Sequence, residues 1–253
     1  MKVVITGASS GIGQALARHY ADRGATLALI ARREAELRRL ASELAVDCHL
    51  YPLDVTNANG LKEAAADFVG RVGAPDLVIA NAGISVGTLT QEASDLPVFE
   101  RVLAVNVVGL FNTFHPFIAP MRTAGRGTLA GIASVAGIRG LPGSGAYSAS
   151  KAAAISYLES LRGELRGSGI KVVTIAPGYI ETPMTAHNPY PMPFILPADE
   201  AARRIARVIN AGTSYAVVPW QMGIAAKLLR LLPNPVFDAI FSRTGRKPRG
   251  LDL

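Results

Sequence analysis

The sequence predicts an α/β fold in which a doubly wound parallel sheet lies between two helical layers and is followed by a C-terminal helical extension. Short, wholly apolar runs such as residues 3–5 are typical of strands buried inside a parallel sheet. They alternate with longer segments of helical periodicity, which indicates βαβ units with right-handed crossovers and helices on both faces. Because no linker divides the first 180 residues, we predict one domain over residues 1–253.

The apolar runs and the segments of helical periodicity place the predicted strands and helices in chain order. Residues 11–23 come directly after the first strand and place apolar side chains at helical spacing, as the later helical segments do. Strands are predicted at residues 3–5, 26–31, 49–53, 76–80, 127–133, 171–176 and 215–218. Helices are predicted at residues 11–23, 34–44, 61–72, 97–121, 147–166 and 198–211.

The pattern changes after residue 177. Residues 183–197 contain five prolines among apolar side chains, so this segment cannot form a regular helix. Its apolar content disfavours full exposure to water. We interpret it as a substrate lid loop; a surface loop packed on its own core is the alternative.

Composition excludes several classes of protein. Of 253 residues, 49% are hydrophobic and 18% are charged, which excludes a disordered chain. The single cysteine excludes an internal disulfide and a cysteine-rich zinc site, and the four histidines are far apart, so we expect no metal. No targeting segment is visible, and we expect a cytoplasmic protein without a membrane-spanning helix.

A glycine-rich turn joins the first strand to the first helix. Residues 6–13 read TGASSGIG, in which glycine permits a tight turn and a close approach of the backbone to a ligand. The N–H groups and partial positive charge at the start of the helix favour a pyrophosphate, which predicts a Rossmann-type dinucleotide site. The residues of this turn expected to bind the cofactor are Gly7, Ser9, Ser10, Gly11, Ile12 and Gly13.

Two serine motifs suggest a different chemistry. Ser9 is at the centre of a G-x-S-x-G pattern and Ser148 begins an S-x-x-K pattern, both of which occur in serine-dependent enzymes. The first would follow the first strand of the chain instead of a strand deep in the sheet. The second lacks its companion K-T-G motif, so a serine hydrolase is disfavoured.

Two arginines end the second strand, where NAD-binding sites commonly carry an acid for the ribose 2′-hydroxyl. Arg32 and Arg33 offer planar guanidinium groups that suit a phosphate. We therefore expect NADP(H) to be preferred, with NAD(H) as the second cofactor. Two solvated arginines at the start of a helix are the alternative.

Polar residues also follow the third and fourth strands. Asp54 is a candidate acceptor for the adenine amino group, or a cap for the next helix. Asn81, Ala82 and Gly83 follow the fourth strand. Gly83 suits a close approach of the backbone and Asn81 can tie two strands together, whereas a simple turn is the alternative.

Tyr147 and Lys151 are four residues apart and therefore lie on one face of a helix, one turn apart. Because a nearby ammonium favours the phenolate, we expect Lys151 to lower the pKa of Tyr147 from its usual value of about 10. Tyr147 is then a candidate proton donor to a carbonyl or proton acceptor from an alcohol.

Taken together, the motifs resemble those of the short-chain dehydrogenase/reductase family over about residues 1–219. The combination consists of T-G-x-x-x-G-x-G, N-A-G, Ser134 thirteen residues before Tyr147, and Y-x-x-x-K. The resemblance implies that Tyr147 is the catalytic acid/base and that Ser134 polarises the substrate oxygen. It further implies that Lys151 holds the nicotinamide ribose and that Asn106 holds a water of the proton relay.

The resemblance also implies a set of cofactor contacts. Asp54 and Val55 match the adenine contact, and Ile180 and Thr182 match the loop that grips the carboxamide. Outside the glycine-rich turn, the expected contacts are Arg32, Arg33, Asp54, Val55, Asn81, Ala82, Gly83, Tyr147, Lys151, Pro177, Gly178, Ile180 and Thr182.

The implied function is an NADP(H)-dependent oxidoreductase that interconverts a carbonyl and a secondary alcohol by hydride transfer. The composition of the lid favours an apolar or aromatic small-molecule substrate. The alternative is a catalytically weak, nucleotide-dependent binding or regulatory protein on the same fold. The resemblance also implies a homodimer or homotetramer through the helices at residues 97–121 and 147–166.

The C-terminal extension, residues 220–253, is apolar and basic. Residues 203–249 contain nine basic residues and one acid, a net charge of +8, whereas the rest of the chain holds 17 basic and 18 acidic residues. Apolar residues flanked by Lys and Arg are typical of an interfacial helix, so peripheral membrane contact through residues 220–249 is one interpretation. A helix packed over the substrate cleft or at a subunit contact is the other. No motif beyond charge indicates nucleic acid.

Overall fold

A parallel sheet forms the centre of the protein in the computed structural model, which describes residues 1–242 and 245–250. The strands are β1 (Lys2–Thr6), β2 (Thr26–Ala31), β3 (Cys48–Pro52), β4 (Leu77–Ala80), β5 (Gly127–Ile132), β6 (Ile170–Pro177) and β7 (Tyr215–Val218). Their order across the sheet is β3-β2-β1-β4-β5-β6-β7, and neighbouring strands are parallel. The chain therefore winds outward in both directions from β1.

Helices cover both faces of this sheet. They are α1 (Gly11–Ala21), α2 (Glu34–Glu43), α3 (Ala58–Val72), α4 (Leu96–Leu103), α5 (Gly109–Thr123), α6 (Gly145–Glu164), α7 (Ala198–Ala211), α8 (Trp220–Leu231) and α9 (Asn234–Phe241). Side chains of α1, α2 and α7 pack on one face, and those of α3, α5 and α6 on the other. The predicted three-layer, Rossmann-type fold is confirmed.

The two faces of the sheet have separate apolar cores because successive side chains of a strand point in opposite directions. In β1, Val3 and Ile5 belong to the core under α1, whereas Val4 belongs to the core under α5. All three side chains are fully buried. This burial on both faces explains why the strands are continuous apolar runs instead of alternating ones.

The helix predicted at residues 97–121 is interrupted. A π-helical turn, Ala104–Val108, separates α4 from α5 and contains the buried Asn106. Such turns insert one residue into the helical ladder and are frequent at functional sites. The periodicity of the sequence does not reveal this interruption.

One described helical segment has the length and apolar composition of a membrane span, contrary to the expectation from the sequence. It covers Ala93–Thr123, and 44% of its most apolar window is buried inside the protein. Phe114 and Phe117 of α5 are among these buried side chains and pack against the sheet. A core helix of a soluble protein has the same properties, so this segment is weak evidence for a membrane span.

The C-terminal extension begins by packing against the sheet. Met222 of α8 is buried and leaves no room for a side chain at Gly178. Residues 245–250, here called the strap, then return to the loop that follows β4, where the Gly87 N–H donates to the Pro248 carbonyl at 2.9 Å. Arg243, part of the predicted basic extension, lies outside the described residues, as do Thr244 and residues 251–253.

Candidate active site

A cavity of about 370 Å³ opens at the carboxyl edge of the sheet, beside β1. The strand order reverses there, and open parallel sheets bind ligands at such a switch point. Every residue predicted from the sequence to bind the cofactor or act in catalysis lines this cavity, except Gly13 and Asn106. Residues from seven separate parts of the chain are therefore brought together.

The glycine-rich turn is packed too tightly for side chains. Gly7 and Gly11 have φ angles of +67° and +55°, a region that L-residues rarely adopt. At Gly13, a Cβ atom would lie 2.3 Å from the Gly7 carbonyl oxygen and 2.5 Å from Asn81 Nδ2. Gly13 therefore allows the close packing of the turn against Gly7 and Asn81 without lining the cavity, whereas Gly7 and Gly11 line it.

The first turn of α1 provides an anion-binding surface. Ser10 precedes the helix but makes no side-chain hydrogen bond to cap it, and the first turn contains no acidic residue. Its N–H groups are therefore not capped by that side chain, and they carry the positive end of the helix dipole. Together with a turn that excludes Cβ atoms, this arrangement fits a pyrophosphate.

Both predicted arginines stand at the mouth of the cavity. Arg33 donates to Ser9 Oγ at 3.0 Å, which holds its guanidinium beside the glycine-rich turn. The Arg32 side chain is half-exposed, and its Nη1 lies 3.9 Å from Asp54 Oδ2. No acid directly follows β2 in the sequence, so a phosphate at this position would meet two positive charges.

Asp54 also lines the cavity, but its carboxylate is engaged by the protein. It accepts hydrogen bonds from the backbone and side chain of Thr56 and from Arg101 at 2.6 Å. Burial alone would raise the pKa of Asp54, but the bonds from Thr56 and Arg101 lower it below its usual value. The alternative role of Asp54 as a helix cap is wrong, because Asn57 caps α3.

Asn81 joins β4 to β1. Its Nδ2 donates to the Thr6 carbonyl at 3.0 Å and to the Gly7 carbonyl at 3.3 Å, and its N–H donates to Thr6 Oγ1. These bonds hold the glycine-rich turn against the end of the neighbouring strand. This is the tethering contact that the resemblance implies.

Asn106 lies behind the cavity and not in its wall. Its Oδ1 accepts from Ile84 N–H, and its Nδ2 donates to the Ile84 carbonyl and to Ser150 Oγ, each at 2.9 Å. Its amide therefore connects the loop after β4 to α6. A Cβ on Gly83 would contact both Asn106 Oδ1 and Lys151 Nζ, which places these two polar groups on the same side of the loop.

Ser134, Tyr147 and Lys151 meet at one end of the cavity. Lys151 is buried, donates to the Ile132 carbonyl at 2.8 Å and has its Nζ 5.8 Å from the centre of the Tyr147 ring. Burial lowers the pKa of Lys151 to about 8. Burial raises the pKa of Tyr147, and its hydrogen bond with Ser134 opposes this only in part.

The expected lowering of the Tyr147 pKa by Lys151 is therefore wrong for this structure. The cost of desolvating the charged phenolate exceeds the stabilisation that its neighbours provide. A phenol with a raised pKa keeps its proton at neutral pH, which suits a proton donor.

The predicted lid contributes part of the cavity wall. Pro183 and Met184 line it. The rings of Tyr179 and Tyr190 lie 6.3 Å apart and do not line it. Burial, with smaller contributions from Tyr179 and Tyr147, raises the pKa of Tyr190 to about 12. The lid segment is irregular, as its prolines require.

Four residues around this site were not predicted from the sequence: Ser85, Arg101, Lys247 and Arg249. Lys247, on the strap, donates to Ser85 Oγ at 2.7 Å, and its Nζ lies 5.8 Å from the Tyr147 ring centre. The basic composition of the extension was the available signal, but it did not indicate which lysine approaches Tyr147.

The fold and the cavity define a Rossmann-type nucleotide-binding protein. The sequence matches the family described as short chain dehydrogenase over residues 1–191. The chain belongs to the short-chain dehydrogenase/reductase family; it is an oxidoreductase of CH–OH and C=O groups, and the family uses NAD(P).

Individual relatives agree with this assignment. An uncharacterized oxidoreductase of Myxococcus xanthus is 39% identical over 246 residues, which cover 95% of this chain and 96% of that protein. An alcohol dehydrogenase from the archaeon Thermococcus sibiricus, complexed with 5-hydroxy-NADP, is 29% identical with a TM-score of 0.77, covering 85% of this chain and 94% of that one. Levodione reductase is 25% identical with a TM-score of 0.80, and the match covers 88% of this chain and 97% of that one.

Proposed function

We propose that the protein is an NADP(H)-dependent oxidoreductase that interconverts a carbonyl and a secondary alcohol, with Tyr147 as acid/base. The observation that carries this proposal is the meeting of Ser134, Tyr147 and Lys151 at one end of a cavity built around a glycine-rich turn. A binding or regulatory protein, the alternative function, has no need for a buried lysine beside a tyrosine that lines the cavity. We therefore favour the enzyme.

In the proposed mechanism the protein's own groups move the proton and hold the reactants. When bound, the nicotinamide of the cofactor supplies or accepts the hydride. Tyr147 donates its proton to the carbonyl oxygen during reduction and accepts it from the alcohol during oxidation. Ser134 polarises the same oxygen, and Lys151, whose ammonium lies beside Tyr147, binds the ribose hydroxyls.

Asn106 serves this site by positioning other groups. Its side chain bonds to Ile84 and Ser150, so it holds the loop after β4 against α6. The role that the resemblance implies, holding a water of the proton relay, remains a proposal. Gly83 supports it, because Asn106 Oδ1 and Lys151 Nζ both lie next to this residue, which has no side chain to separate them.

The preference for NADP(H) is part of the proposal. The placement of Arg32 and Arg33 at the cavity mouth supports it, as does the NADP derivative bound to the Thermococcus sibiricus relative. We expect Arg32→Ala to raise the Kd for NADPH by about 10- to 100-fold, because a charge-assisted bond to phosphate contributes about 1.5–3 kcal/mol. Fluorescence titration with NADPH and NADH measures both affinities.

Arg38→Ala is the matched control for this experiment. Arg38 is exposed on α2 and pairs with Glu34, away from the cavity. We expect this variant to bind both cofactors as the wild type does. Equal losses of NADPH and NADH affinity in Arg32→Ala would remove the phosphate argument.

The proposed substrate is a small carbonyl compound or alcohol with an apolar or aromatic part. Pro183 and Met184 of the lid support this class, since they add apolar surface to the cavity wall, and the paired rings of Tyr179 and Tyr190 add aromatic surface to the same part of the chain. The predicted homodimer or homotetramer also remains a proposal. Exposed Val108 and Phe111, near the start of α5, support an association through that helix.

We also propose a cytoplasmic protein that contacts membranes peripherally through its extension. One face of α8 exposes apolar side chains at helical spacing: Trp220, Ile224, Leu228 and Leu231. We expect Ile224→Ser/Leu228→Ser to reduce pelleting with phosphatidylglycerol vesicles at least tenfold, since each apolar side chain contributes about 1.5–3 kcal/mol on burial.

Val108→Ser, which changes an exposed apolar residue outside the extension, is the control for vesicle binding. We expect it to pellet like the wild type. The same amount of pelleting for wild type and the α8 variant would end the membrane proposal and favour a subunit contact at this face.

A further inference from the structure

The strap is anchored on the segment that follows β4, and its Lys247 lies beside the Tyr147 ring. Arg249 donates to both carboxylate oxygens of the buried Asp95, at 2.8 and 3.1 Å, and lies 3.5 Å from Glu92. The Gly87 N–H donates to the Pro248 carbonyl. A backbone bond and an ion pair therefore hold the strap on the loop that follows β4.

The fit between the strap and its surroundings is close. A Cβ on Gly87 would lie 2.2 Å from the Lys247 carbonyl oxygen, so this loop approaches the strap without room for a side chain. On the other side, a Cβ on Gly143 would lie 3.0 Å from Arg246. Gly245 reaches the lid at Pro189. The strap therefore lies between the lid, the loop that follows β4 and the loop that precedes α6.

This arrangement directs Lys247 toward the reacting group. Its Nζ and that of Lys151 each lie 5.8 Å from the centre of the Tyr147 ring. Lys151 faces the cofactor cavity, but Lys247 does not line that cavity. Two ammonium groups thus approach Tyr147, one from the cofactor side and one from the strap.

Among the described residues, Lys247 has no anionic partner. An ammonium carries three N–H donors, and the hydrogen bond to Ser85 Oγ occupies one of them. Within residues 1–242 and 245–250, no carboxylate lies within 4.0 Å of its Nζ, and the nearby Glu92 and Asp95 pair with Arg249. A partly buried charge without a counter-ion is unfavourable, so an anion is stabilised here.

The ammonium is charged under ordinary conditions. Burial lowers the pKa of Lys247 to about 8, which leaves most of the population protonated at neutral pH. A ligand carboxylate would replace the water that Lys247 loses on burial and would accept hydrogen bonds from its remaining N–H groups. No group in the described part of the site already performs this role for Lys247.

We infer that Lys247 is a specificity-determining residue that binds a carboxylate on the carbonyl substrate, so that the enzyme prefers keto acids with an apolar body. This inference rests on the proposed function. The apolar body contacts the lid and the tyrosine rings, the carbonyl meets Ser134 and Tyr147, and the carboxylate meets Lys247. The reduction product is the corresponding hydroxy acid.

The test compares acids with their neutral esters. Benzoylformate, 3-benzoylpropionate and 4-acetylbenzoate place a carboxylate at increasing distances from an aryl ketone, and each has a methyl ester of nearly the same shape. For wild type, Lys247→Met and Lys247→Arg, the ratio of kcat/KM for acid to ester is measured with NADPH. We expect this ratio to fall at least tenfold in Lys247→Met and to be retained largely in Lys247→Arg, because arginine keeps the charge.

Lys227→Met provides the matched control, since Lys227 is an exposed lysine on α8. We expect it to keep the wild-type ratio. An unchanged ratio in Lys247→Met would overturn the inference. So would a wild type that favours the ester at every spacing, or a Lys247→Met variant that gains activity on acids and esters alike, as expected of a strap that only obstructs entry.

Binding provides a readout that does not depend on turnover. The three acids and esters are titrated into the NADPH complex while the nicotinamide fluorescence is followed. We expect wild type to bind at least one acid at least tenfold more tightly than Lys247→Met does, whereas equal binding, or no acid binding by wild type, overturns the inference. Acid binding through Lys247 without reduction of any probe would keep the carboxylate contact but overturn the preference for keto acids as substrates, and it would count against the proposed function.

Discussion

Replacement of Tyr147 by phenylalanine is expected to reduce kcat/KM by about 10²- to 10⁴-fold, the range typical of general acid–base catalysis. The variant loses a single hydroxyl, and the hydrogen bond with Ser134 is lost with it. Its apolar ring preserves the packing of α6 at this position. NADPH affinity is expected to change less than threefold, because the glycine-rich turn and the start of α1 remain intact. Steady-state kinetics with a reducible ketone and fluorescence titration of NADPH measure the two effects.

Tyr157→Phe is the control for this prediction. Tyr157 lies further along the same helix, is half-buried and does not line the cavity. Removal of its hydroxyl tests whether the loss of any tyrosine hydroxyl on α6 lowers kcat/KM. A Tyr147→Phe enzyme that keeps more than a tenth of wild-type turnover would exclude Tyr147 as the acid/base.

Alanine at Gly13 is expected to weaken NADPH binding by about 10- to 100-fold and to destabilise the fold by about 1–3 kcal/mol, as overpacked sites typically do. The new Cβ would lie 2.3 Å from the Gly7 carbonyl oxygen, far inside contact distance. Because this obstacle is backbone, only a shift of the turn can relieve it. A shifted Gly7 moves the cofactor-binding turn and strains its tether to Asn81. Titration with NADPH and urea unfolding measure the two losses.

Gly70→Ala is the matched control, a glycine on the exposed side of α3. A Cβ there would meet nothing within 4 Å. We expect it to stabilise the protein by about 0.5–1 kcal/mol through helix propensity and to leave cofactor binding unchanged. If Gly13→Ala binds NADPH as the wild type does, the close packing of the turn has no role in holding the cofactor.

Local patterns in the sequence were sufficient to predict the fold. Strands and helices differ in period, and both leave a direct trace in the order of apolar residues. The pairing of Tyr147 and Lys151 was predictable too, because residues four positions apart on a helix lie on the same face. The glycine-rich turn was recognisable for a similar reason, since a backbone at positive φ or in close contact requires glycine.

Contacts between distant segments were beyond the reach of such patterns. Arg101 neutralises Asp54 across 47 positions of sequence, and nothing in either segment indicates the pair. The π-helical turn at Ala104–Val108 likewise leaves no mark in the apolar spacing. The direction of the Tyr147 pKa shift depends on burial, a property of the assembled site that spacing cannot supply.

The sequence alone determined the α/β architecture, the dinucleotide turn and the tyrosine–lysine pair, because each depends on residues close together in the chain. The tertiary structure decided what the basic extension does at the active site. It brings Lys247 of the strap to Tyr147, through anchors at Gly87 and Asp95. That placement results from packing and ion pairing between remote segments, whereas composition records only that the C-terminal region is positively charged.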